Sequence, residues 1–459
     1  MDNDVLQLIR KYECSGPRYT SYPPAPVFSP SFGPDEYETA IRETEERPAN
    51  KQISLYVHIP FCDTLCYFCG CTTVITRNRE QMDTYLRYLL KEIDMLAPRI
   101  GKEREVVQIH WGGGTPTYLT PAQIRLLGSR IRERFHVSDA SENSVEVDPR
   151  DLTRDHLAAL RETGFNRISL GVQDFDPKVQ RAVNRLQDEA LTRRVIDWSR
   201  ELGFRSLNLD LIYGLPFQTV DSFAATLRKI IDIAPERLAV YNFAHVPWMK
   251  KHQILIHPED LPSGAEKLSL LMMTIDTLSA AGYLYIGMDH FARPDDELAV
   301  AQRERTLHRN FQGYSTKAGS DMYAFGMSSI GHFGSVYAQN HKTLLEYQTA
   351  IERGRFATHA GYRMTADDKL RKHVIMRLMC HLYLDIPETE SAFGIDFHTA
   401  FAAELEKLIS LQNDGLLTIG RDAVEISDTG RLFLRNIAMC FDAHLPAMRT
   451  QRPLFSKTV

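Results

Sequence analysis

The sequence lacks the long apolar stretches of a membrane protein. Nowhere in its 459 residues is there a run of about 18 apolar residues, the length that a membrane-spanning helix requires. Residues 1–10 carry two aspartates and no long apolar run, which argues against a secretory signal peptide. We therefore expect a cytoplasmic protein with no membrane partner.

An excess of positive charge is also missing. The chain carries 54 lysines and arginines against 59 aspartates and glutamates, which gives a formal net charge of −5. Proteins that bind nucleic acids neutralise phosphates with a basic surface, so we expect no nucleic-acid partner. Any anionic substrate would have to be held by local basic groups.

Evenly spaced cysteine pairs, which mark a disulfide framework, are absent too. The seven cysteines are an odd number, and four of them lie between residues 62 and 71. This clustering indicates a metal centre. The isolated Cys14, Cys380 and Cys440 are expected to be ordinary thiols.

Short apolar, β-branched runs alternate with helix-like stretches from about residue 50 onwards. This alternation predicts an α/β fold with a parallel sheet, and six or seven units suffice for a whole or partial (β/α) barrel. The predicted strands are 54–60, 106–112, 144–147, 167–172, 207–212, 238–243 and 283–288.

The chain divides into three predicted regions. Residues 1–50 form an N-terminal arm, because the prolines from position 17 onwards disfavour a regular helix or central strand. Residues 51–364 form the barrel domain. Residues 365–459 form a small, mostly helical domain that resembles a winged helix, with helices at 367–382, 396–409 and 429–441 and a hairpin at 415–426. Because it has no dense basic stripe, we expect it to have a structural or gating role.

The four clustered cysteines follow the first predicted strand as a C-x3-C-x2-C-x-C motif. Cys62, Cys66 and Cys69 could hold a [4Fe-4S] cluster and leave one iron without a protein ligand. The x3/x2 spacing is the one recognised for clusters that bind S-adenosylmethionine. Two alternatives remain open: Cys71 could close the cluster as a fourth ligand, or the site could hold zinc, although a second cysteine pair is missing.

Other unusual residues follow the predicted strands, where barrel enzymes bind their ligands. Consecutive glycines at 112–114 expose backbone that suits the amino-acid part of a cofactor. Glu146 and Asp210 are carboxylates in apolar runs, where charges are rare unless paired or bound to a ligand. A salt bridge between strands explains either one equally well. Gln173 and Arg185 fit the same face.

Taken together, these motifs resemble the oxygen-independent coproporphyrinogen III oxidases of anaerobic haem biosynthesis. The resemblance spans nearly the whole chain and rests on residues 16–23, 56–71, 111–117, 171–175 and 289–294. It implies a partial barrel of the radical S-adenosylmethionine type.

The resemblance also implies two molecules of S-adenosylmethionine beside the cluster. Cys71 would act in catalysis without binding the cluster. The first molecule would be held by Tyr56, Gly113, Glu146 and Ile330. The second would contact Phe68, Gly114, Thr115, Gln173, Arg185, Asp210 and Ala244.

The implied reaction is the oxidative decarboxylation of two propionates of coproporphyrinogen III to vinyl groups, which gives protoporphyrinogen IX. A 5′-deoxyadenosyl radical would abstract hydrogen from each propionate. The reaction needs an electron donor for the cluster and a terminal electron acceptor, and we expect a monomer. Arg18, Arg293 and Arg309 are candidates to hold the substrate carboxylates. A radical enzyme that modifies haem and a haem chaperone are the alternative functions.

Overall fold

The computed structural model describes residues 3–448 and 454–458, which form an α/β structure built on one large sheet. No helix in these ranges is long and apolar enough to cross a membrane. The strands are β1 (Gln52–Ile59), β2 (Phe61–Cys62), β3 (Val74–Ile75), β4 (Glu105–Gly113), β5 (His136–Val147), β6 (Arg167–Gln173), β7 (Ser206–Tyr213), β8 (Arg237–Asn242), β9 (Leu284–Gly287), β10 (His290–Ala292), β11 (His308–Asn310), β12 (Gly313–Ser315), β13 (Asp321–Phe325), β14 (Ile330–Phe333), β15 (Val336–Asn340), β16 (Thr358–Arg363), β17 (Tyr383–Asp385), β18 (Leu417–Ile419) and β19 (Ala423–Ile426).

The helices cover the sheet and build the C-terminal region. Many begin at a residue that caps the free amides of the first turn, as at Thr120, whose hydroxyl accepts from the amide of Gln123. The helices are α1 (Asn3–Tyr12), α2 (Pro34–Glu46), α3 (Arg79–Leu96), α4 (Pro121–Arg134), α5 (Arg154–Glu162), α6 (Pro177–Ala182), α7 (Glu189–Glu201), α8 (Val220–Ile233), α9 (Gly264–Ala280), α10 (Glu297–Arg303), α11 (Leu344–Glu352), α12 (Ala366–His381), α13 (Ile386–Phe393), α14 (Phe397–Ala400), α15 (Ala402–Asn413) and α16 (Leu434–Met439).

The large sheet is a partial barrel of parallel strands with antiparallel strands at both ends. Its order is β16-β15-β14-β13-β1-β4-β5-β6-β7-β8-β10-β9. The seven neighbours from β13 to β8 pair in parallel. Six of them, β1 and β4 to β8, are the first six predicted strands. Their near-continuous burial fits a parallel sheet that helices cover.

The seventh predicted strand is wrong as a member of the parallel barrel. Residues 283–288 do contain β9, but β9 pairs antiparallel with β10, and β10 pairs antiparallel with β8. The chain reverses at Met288, whose φ of 55° is left-handed, so it has no room for the crossover that a parallel strand needs. The seventh parallel strand is instead β13, which pairs with the other side of β1.

The N-terminal arm packs into the C-terminal region. Tyr19 and Tyr22 are buried in the same apolar cluster as α12 and α16. The hydroxyl of Tyr19 donates to Asp442 Oδ2 at 3.0 Å, and Arg435 Nε donates to the carbonyl of Pro17 at 3.0 Å. The expectation that proline excludes helix from the arm is wrong at Pro34. That residue begins α2, at a position where its missing amide is not needed.

The C-terminal region keeps the predicted helices and hairpin with changed bounds. The predicted helix at 396–409 is divided at Phe401 into α14 and α15, and the one at 429–441 narrows to α16 after a 3-10 turn. The hairpin of β18 and β19 is confirmed. A third strand, β17, which was not predicted, pairs with β19 and completes a small sheet.

Candidate active site

The cysteine loop follows β1, and the pairing of the short strands β2 and β3 holds its two ends together. Phe61 and Cys62 pair in parallel with Val74 and Ile75, so the loop begins and ends beside the same two strands. Inside it, the Cys69 amide donates to the Cys66 carbonyl at 3.1 Å. The loop is therefore a compact turn that presents Cys62, Cys66 and Cys69 from one short segment.

The segment after β8 holds the cysteine loop from the side. Gln253 Nε2 donates to the carbonyl of Phe68 at 3.2 Å, and His252 Nε2 lies 2.8 Å from the carbonyl of Cys69. Lys250 Nζ donates to the carbonyl of Cys71 at 3.1 Å. Sequence reasoning missed this clamp, because a side chain that binds a distant carbonyl leaves no local motif.

Two arginines place positive charge beside the thiols. Arg150 Nη2 and Arg185 Nη1 lie 3.5 and 3.7 Å from Cys66 Sγ. Asp148 pairs with both guanidinium groups, at 2.6 and 3.1 Å. Burial alone would raise the pKa of Asp148, but the two arginines lower it to about 2. The carboxylate therefore keeps both arginines in place beside the Cys66 sulfur.

The thiols differ in their surroundings. Burial raises the pKa of Cys62 to about 12, while the Thr115 hydroxyl, 3.3 Å from its sulfur, favours the thiolate. A hydrogen bond from the Cys71 thiol lowers the pKa of Cys69. The same bond raises the pKa of Cys71, which stays protonated.

The donor set fits an iron–sulfur cluster. Three cysteine thiols and two nearby guanidinium groups suit a centre that takes thiolate ligands and carries negative charge. In residues 3–448 and 454–458, no three His, Cys, Asp or Glu side chains converge closely enough to hold a single metal ion. A cubane does not require its ligands to converge on one point, since each thiolate binds a different iron atom.

The glycine run at the end of β4 packs directly under the cysteine loop. A Cβ on Gly113 would lie 2.6 Å from the His58 ring, and one on Gly114 would lie 2.6 Å from the carbonyl oxygen of Pro60. Gly113 also has a φ of +116°, which side chains rarely adopt. The run is therefore glycine because its neighbours leave no room for a side chain.

We expect Gly113→Ala to lower the free energy of unfolding by about 1–3 kcal/mol, because the new methyl group meets His58 in a strained backbone conformation. Chemical denaturation followed by circular dichroism measures the change. Gly70→Ala is the control, since a Cβ there meets nothing within 4 Å. Equal stability of the two variants would contradict the packing argument.

Glu146 lies at the centre of a polar network at the end of β5. Its carboxylate accepts from the amide of Gly113 at 3.1 Å and lies 3.3 Å from His110 Nε2. The ring of Tyr56 stacks on His110, and its hydroxyl lies 3.0 Å from His58 Nδ1. Burial opposes ionisation of Glu146, yet His110 and the Gly113 amide lower its pKa overall. The site therefore holds a fixed negative charge beside the glycine run.

Asp210 lies on β7, in a polar cavity of about 150 Å³ that Glu146 also lines. Asn208 Nδ2 and Ser169 Oγ donate to its carboxylate at 2.7 and 3.1 Å. Burial, with the charge of Glu146, raises the pKa of Asp210 to about 7. The two carboxylates thus differ in charge state near neutral pH.

Asp210→Asn is expected to stabilise the protein at pH 8 by about 2–4 kcal/mol. The raised pKa means that the folded state binds more protons than the unfolded state between about pH 4 and pH 7. The cost of ionising Asp210 therefore grows with pH through this window and is complete above it. Urea unfolding at pH 5.5 and pH 8 should show the gain shrinking at the lower pH.

Asp197→Asn, at an exposed position of α7, is the control for charge removal in the same assay. A stability gain for Asp210→Asn that is the same at both pH values would contradict the assigned burial of the charge.

The remaining predicted residues border the same region. Arg185 Nη2 donates to the Gly171 carbonyl at 2.8 Å, and Gln173 ends β6 with a φ of 68°. Phe68 packs on a small apolar cluster with Val179 and Phe243. Ala244 lines a separate cavity of about 440 Å³ that follows β8.

Ile330 begins β14, directly after a loop that reaches the other predicted residues. The hydroxyl of Ser328 lies 3.3 Å from His58 Nε2, and the amide of Met327 donates to the Tyr85 hydroxyl at 2.9 Å. The structure therefore brings the loop that precedes Ile330 into contact with His58, which lies 270 residues before Ser328 in the sequence. No local pattern in the sequence could have found it.

Of the three candidate substrate arginines, the structure brings two together. Arg309 Nε donates to the Arg18 carbonyl at 3.3 Å, and Arg18 pairs with Asp289 and lies over the Tyr241 ring. Arg309 is 3% exposed, and its Nη1 has no hydrogen-bond partner among the described residues. Arg293 instead donates to the carbonyls of residues 234 and 235, before β8 begins, so it lies at the opposite end of the sheet.

Comparison with known proteins agrees with this geometry. Residues 56–230 match the model of the radical SAM superfamily, and residues 364–433 match that of the HemN C-terminal domain. The chain is 48% identical over 454 residues to the oxygen-independent coproporphyrinogen III oxidase of Escherichia coli, covering 99% of this chain and 98% of that one. It is 46% identical over 454 residues to the Pseudomonas aeruginosa protein of the same name, covering 98% of each.

A solved structure shows the same fold. It is described as coproporphyrinogen III oxidase (HemN) from Escherichia coli, a radical SAM enzyme, and it superposes with a TM-score of 0.91. The identity is 46%, with 96% of this chain and 98% of that chain covered. The chain therefore belongs to the family of oxygen-independent coproporphyrinogen III oxidases, within the radical SAM superfamily.

Proposed function

We propose that this protein decarboxylates coproporphyrinogen III to protoporphyrinogen IX without oxygen, as an oxidoreductase of haem biosynthesis. The observation that carries the proposal is the cysteine loop at the end of β1, in a chain that matches the named oxidases over nearly its full length. Each propionate loses a hydrogen atom from its β-carbon, one electron to an acceptor, and its carboxylate as carbon dioxide.

Cys62, Cys66 and Cys69 would hold the cluster, and Arg150 and Arg185 would balance its charge. When bound, the reduced cluster and S-adenosylmethionine supply a 5′-deoxyadenosyl radical. The protein fixes the loop in place through the carbonyl contacts of Lys250, His252 and Gln253, so the thiols do not reorganise during the reaction.

Two molecules of S-adenosylmethionine would lie in adjacent groups of residues. The glycine run supplies backbone for both, and the two carboxylates Glu146 and Asp210 suit two positively charged sulfonium ligands. The first molecule would contact Tyr56, Gly113, Glu146 and Ile330, and the second Phe68, Gly114, Thr115, Gln173, Arg185, Asp210 and Ala244.

Cys71 would act in catalysis next to the cluster. Its thiol stays protonated beside Cys69, and Lys250 donates a hydrogen bond to its carbonyl. In this role it would not bind iron.

The substrate carboxylates would meet Arg309 and Arg18. A buried guanidinium with a free donor is what a carboxylate pairs with most strongly. The electron donor and terminal acceptor would act from outside the barrel on a cytoplasmic monomer. Within it, the arm (1–50) and the C-terminal domain (365–459) would close over the barrel domain (51–364).

Anaerobic turnover tests the proposal. The reconstituted and reduced protein is mixed with S-adenosylmethionine and coproporphyrinogen III, and 5′-deoxyadenosine and protoporphyrinogen IX are quantified together. Both products are expected. 5′-Deoxyadenosine without protoporphyrinogen IX would indicate another radical reaction, such as haem modification, and neither product with an intact cluster would indicate a haem chaperone.

A further inference from the structure

A second large cleft lies between the C-terminal region and the edge of the barrel sheet. Its volume is about 930 Å³, and it is formed by α12, the turn between β14 and β15, the start of β11 and the end of α2. None of the residues predicted for the cluster or for S-adenosylmethionine lines it. The cleft is therefore not explained by the proposed reaction.

The cleft lies at the end of the sheet opposite to the cysteine loop. Gly334, in its wall, donates to Asp321 at the start of β13, and Asp321 pairs with Ile53 at the start of β1. The cysteine loop follows Ile59, at the other end of β1. Six residues of strand separate the two levels by roughly 20 Å.

Positive charge dominates this cleft. Six lysines and arginines line it, against Glu43 as the carboxylate, and Glu43 is paired with Arg363. Arg377 pairs with Glu388. In the part of the chain that the structure describes, no ion pair is formed by the other four, which are Arg47, Arg305, Lys369 and Lys372.

Lys372 is the most informative of these cations, because it is partly buried and has no anionic partner among the described residues. Its ammonium lies 2.9 Å from His332 Nε2 and 5.2 Å from the centre of the Tyr337 ring. Burial lowers its pKa to about 7, and no carboxylate opposes the effect. An unpaired cation in such a place is costly to the fold, which favours its retention for a ligand.

The groups that face Lys372 are also basic. They are His332 on β14, His308 on β11, and Lys369 and His373 on its own helix, and His381 faces His308. Burial and Lys372 lower the pKa of both His308 and His332. A bound anion would offset the repulsion among these basic groups. It would therefore favour protonation of Lys372, His308 and His332.

Much of the rest of the wall is apolar. Leu307, Val336, Met364, Met376 and Phe393 contribute side chains, so the cleft combines cations with an apolar surface. A site for a small inorganic anion would need neither the volume nor the apolar wall.

We propose that this cleft binds an organic polyanion, with two or more carboxylates attached to an apolar frame. Lys372 and its neighbouring cations would pair with the carboxylates, and the apolar side chains would cover the frame. A tetrapyrrole with propionates and an aliphatic dicarboxylate share this chemistry. The site is independent of the proposed reaction, which takes place at the other end of the barrel.

Calorimetric titration of the reconstituted holoprotein with three probes tests this: coproporphyrin III, sebacate and inorganic pyrophosphate. We expect Lys372→Met to weaken sebacate binding at least about tenfold and to remove one of the bound coproporphyrin molecules. Lys102→Met, at an exposed position, is the matched control and should bind as the wild type does. If only coproporphyrin III or only sebacate binds through Lys372, the site is supported. The probe that binds then shows whether the ligand is a tetrapyrrole or an aliphatic dicarboxylate.

Proton uptake gives a second readout that a merely structural lysine would not move. Titrations in buffers of different ionisation enthalpy should show about one proton taken up per anion at pH 8, where a pKa of about 7 leaves Lys372 mostly neutral. Lys372→Met should lose this uptake, and its unfolding midpoint should equal or exceed that of the wild type.

Three results would overturn the inference: sebacate affinity unchanged in Lys372→Met, pyrophosphate binding as tightly as the carboxylates, or no proton uptake at pH 8. Turnover separates this inference from the proposed function. Lys372→Met should keep wild-type formation of protoporphyrinogen IX. If the wild type fails to turn over but still binds sebacate through Lys372, the proposed function fails and the site stands.

Discussion

Cys62→Ala is expected to eliminate the iron–sulfur cluster and, with it, all formation of 5′-deoxyadenosine and protoporphyrinogen IX. Cys62 ends β2 and pairs with Ile75 of β3, and its sulfur lies 3.3 Å from the Thr115 hydroxyl. A missing thiolate leaves a corner of the cubane without its ligand. Iron and sulfide content, with the visible absorption of the reconstituted protein, measure the cluster directly.

Cys71→Ser is the matched comparison in the same loop. We expect it to assemble the cluster and to cleave S-adenosylmethionine, while the yield of protoporphyrinogen IX falls at least about 100-fold. Loss of the cluster in Cys71→Ser would instead make Cys71 a fourth ligand and would contradict the open site. Cys440→Ser, distant from the loop in the C-terminal region, should retain both cluster and products.

Glu146→Gln should weaken S-adenosylmethionine binding by about 10- to 100-fold, because it removes a charge and keeps the shape of the side chain. A hydrogen bond to a charged group contributes about 1.5–3 kcal/mol. The carboxylate also orders the Gly113 amide and His110, and both contacts weaken when it is neutral. Equilibrium dialysis with the reconstituted, unreduced protein measures affinity without turnover.

Asp139→Asn removes a charge from an exposed position of the same strand and is the control for net charge. The cluster content of Glu146→Gln should equal that of the wild type, which separates cofactor affinity from cluster loss. Unchanged affinity in Glu146→Gln would mean that the carboxylate only orders the glycine run, and the proposed contact would be wrong.

The fold was predictable where the signal is local. β1 and β4 to β8 are apolar runs with turns after them, and each was predicted from its own residues. The prediction for β9 was wrong because its residues have the same apolar pattern as the parallel strands. Only the reversal of the chain at Met288 makes it antiparallel. β13 was missed because its assignment depends on pairing with β1, more than 260 residues earlier.

The site follows the same division. The cysteine motif and the glycine run are local, and each was found from spacing alone. Glu146 and Asp210 were found as charges in apolar strands. The clamp of Lys250, His252 and Gln253 was not found, because its partners are backbone carbonyls in a distant loop.

The sequence by itself determined the chemistry of this protein: three thiols at a set spacing, a run of glycines after a strand, and carboxylates within apolar strands. Those properties depend on covalent neighbours and on the repeat of a strand. Only the tertiary structure decided which charges meet. Arg18 and Arg309 come together while Arg293 lies at the other end of the sheet, and Lys372 is left without an anion, because contacts between distant segments arise when the chain packs.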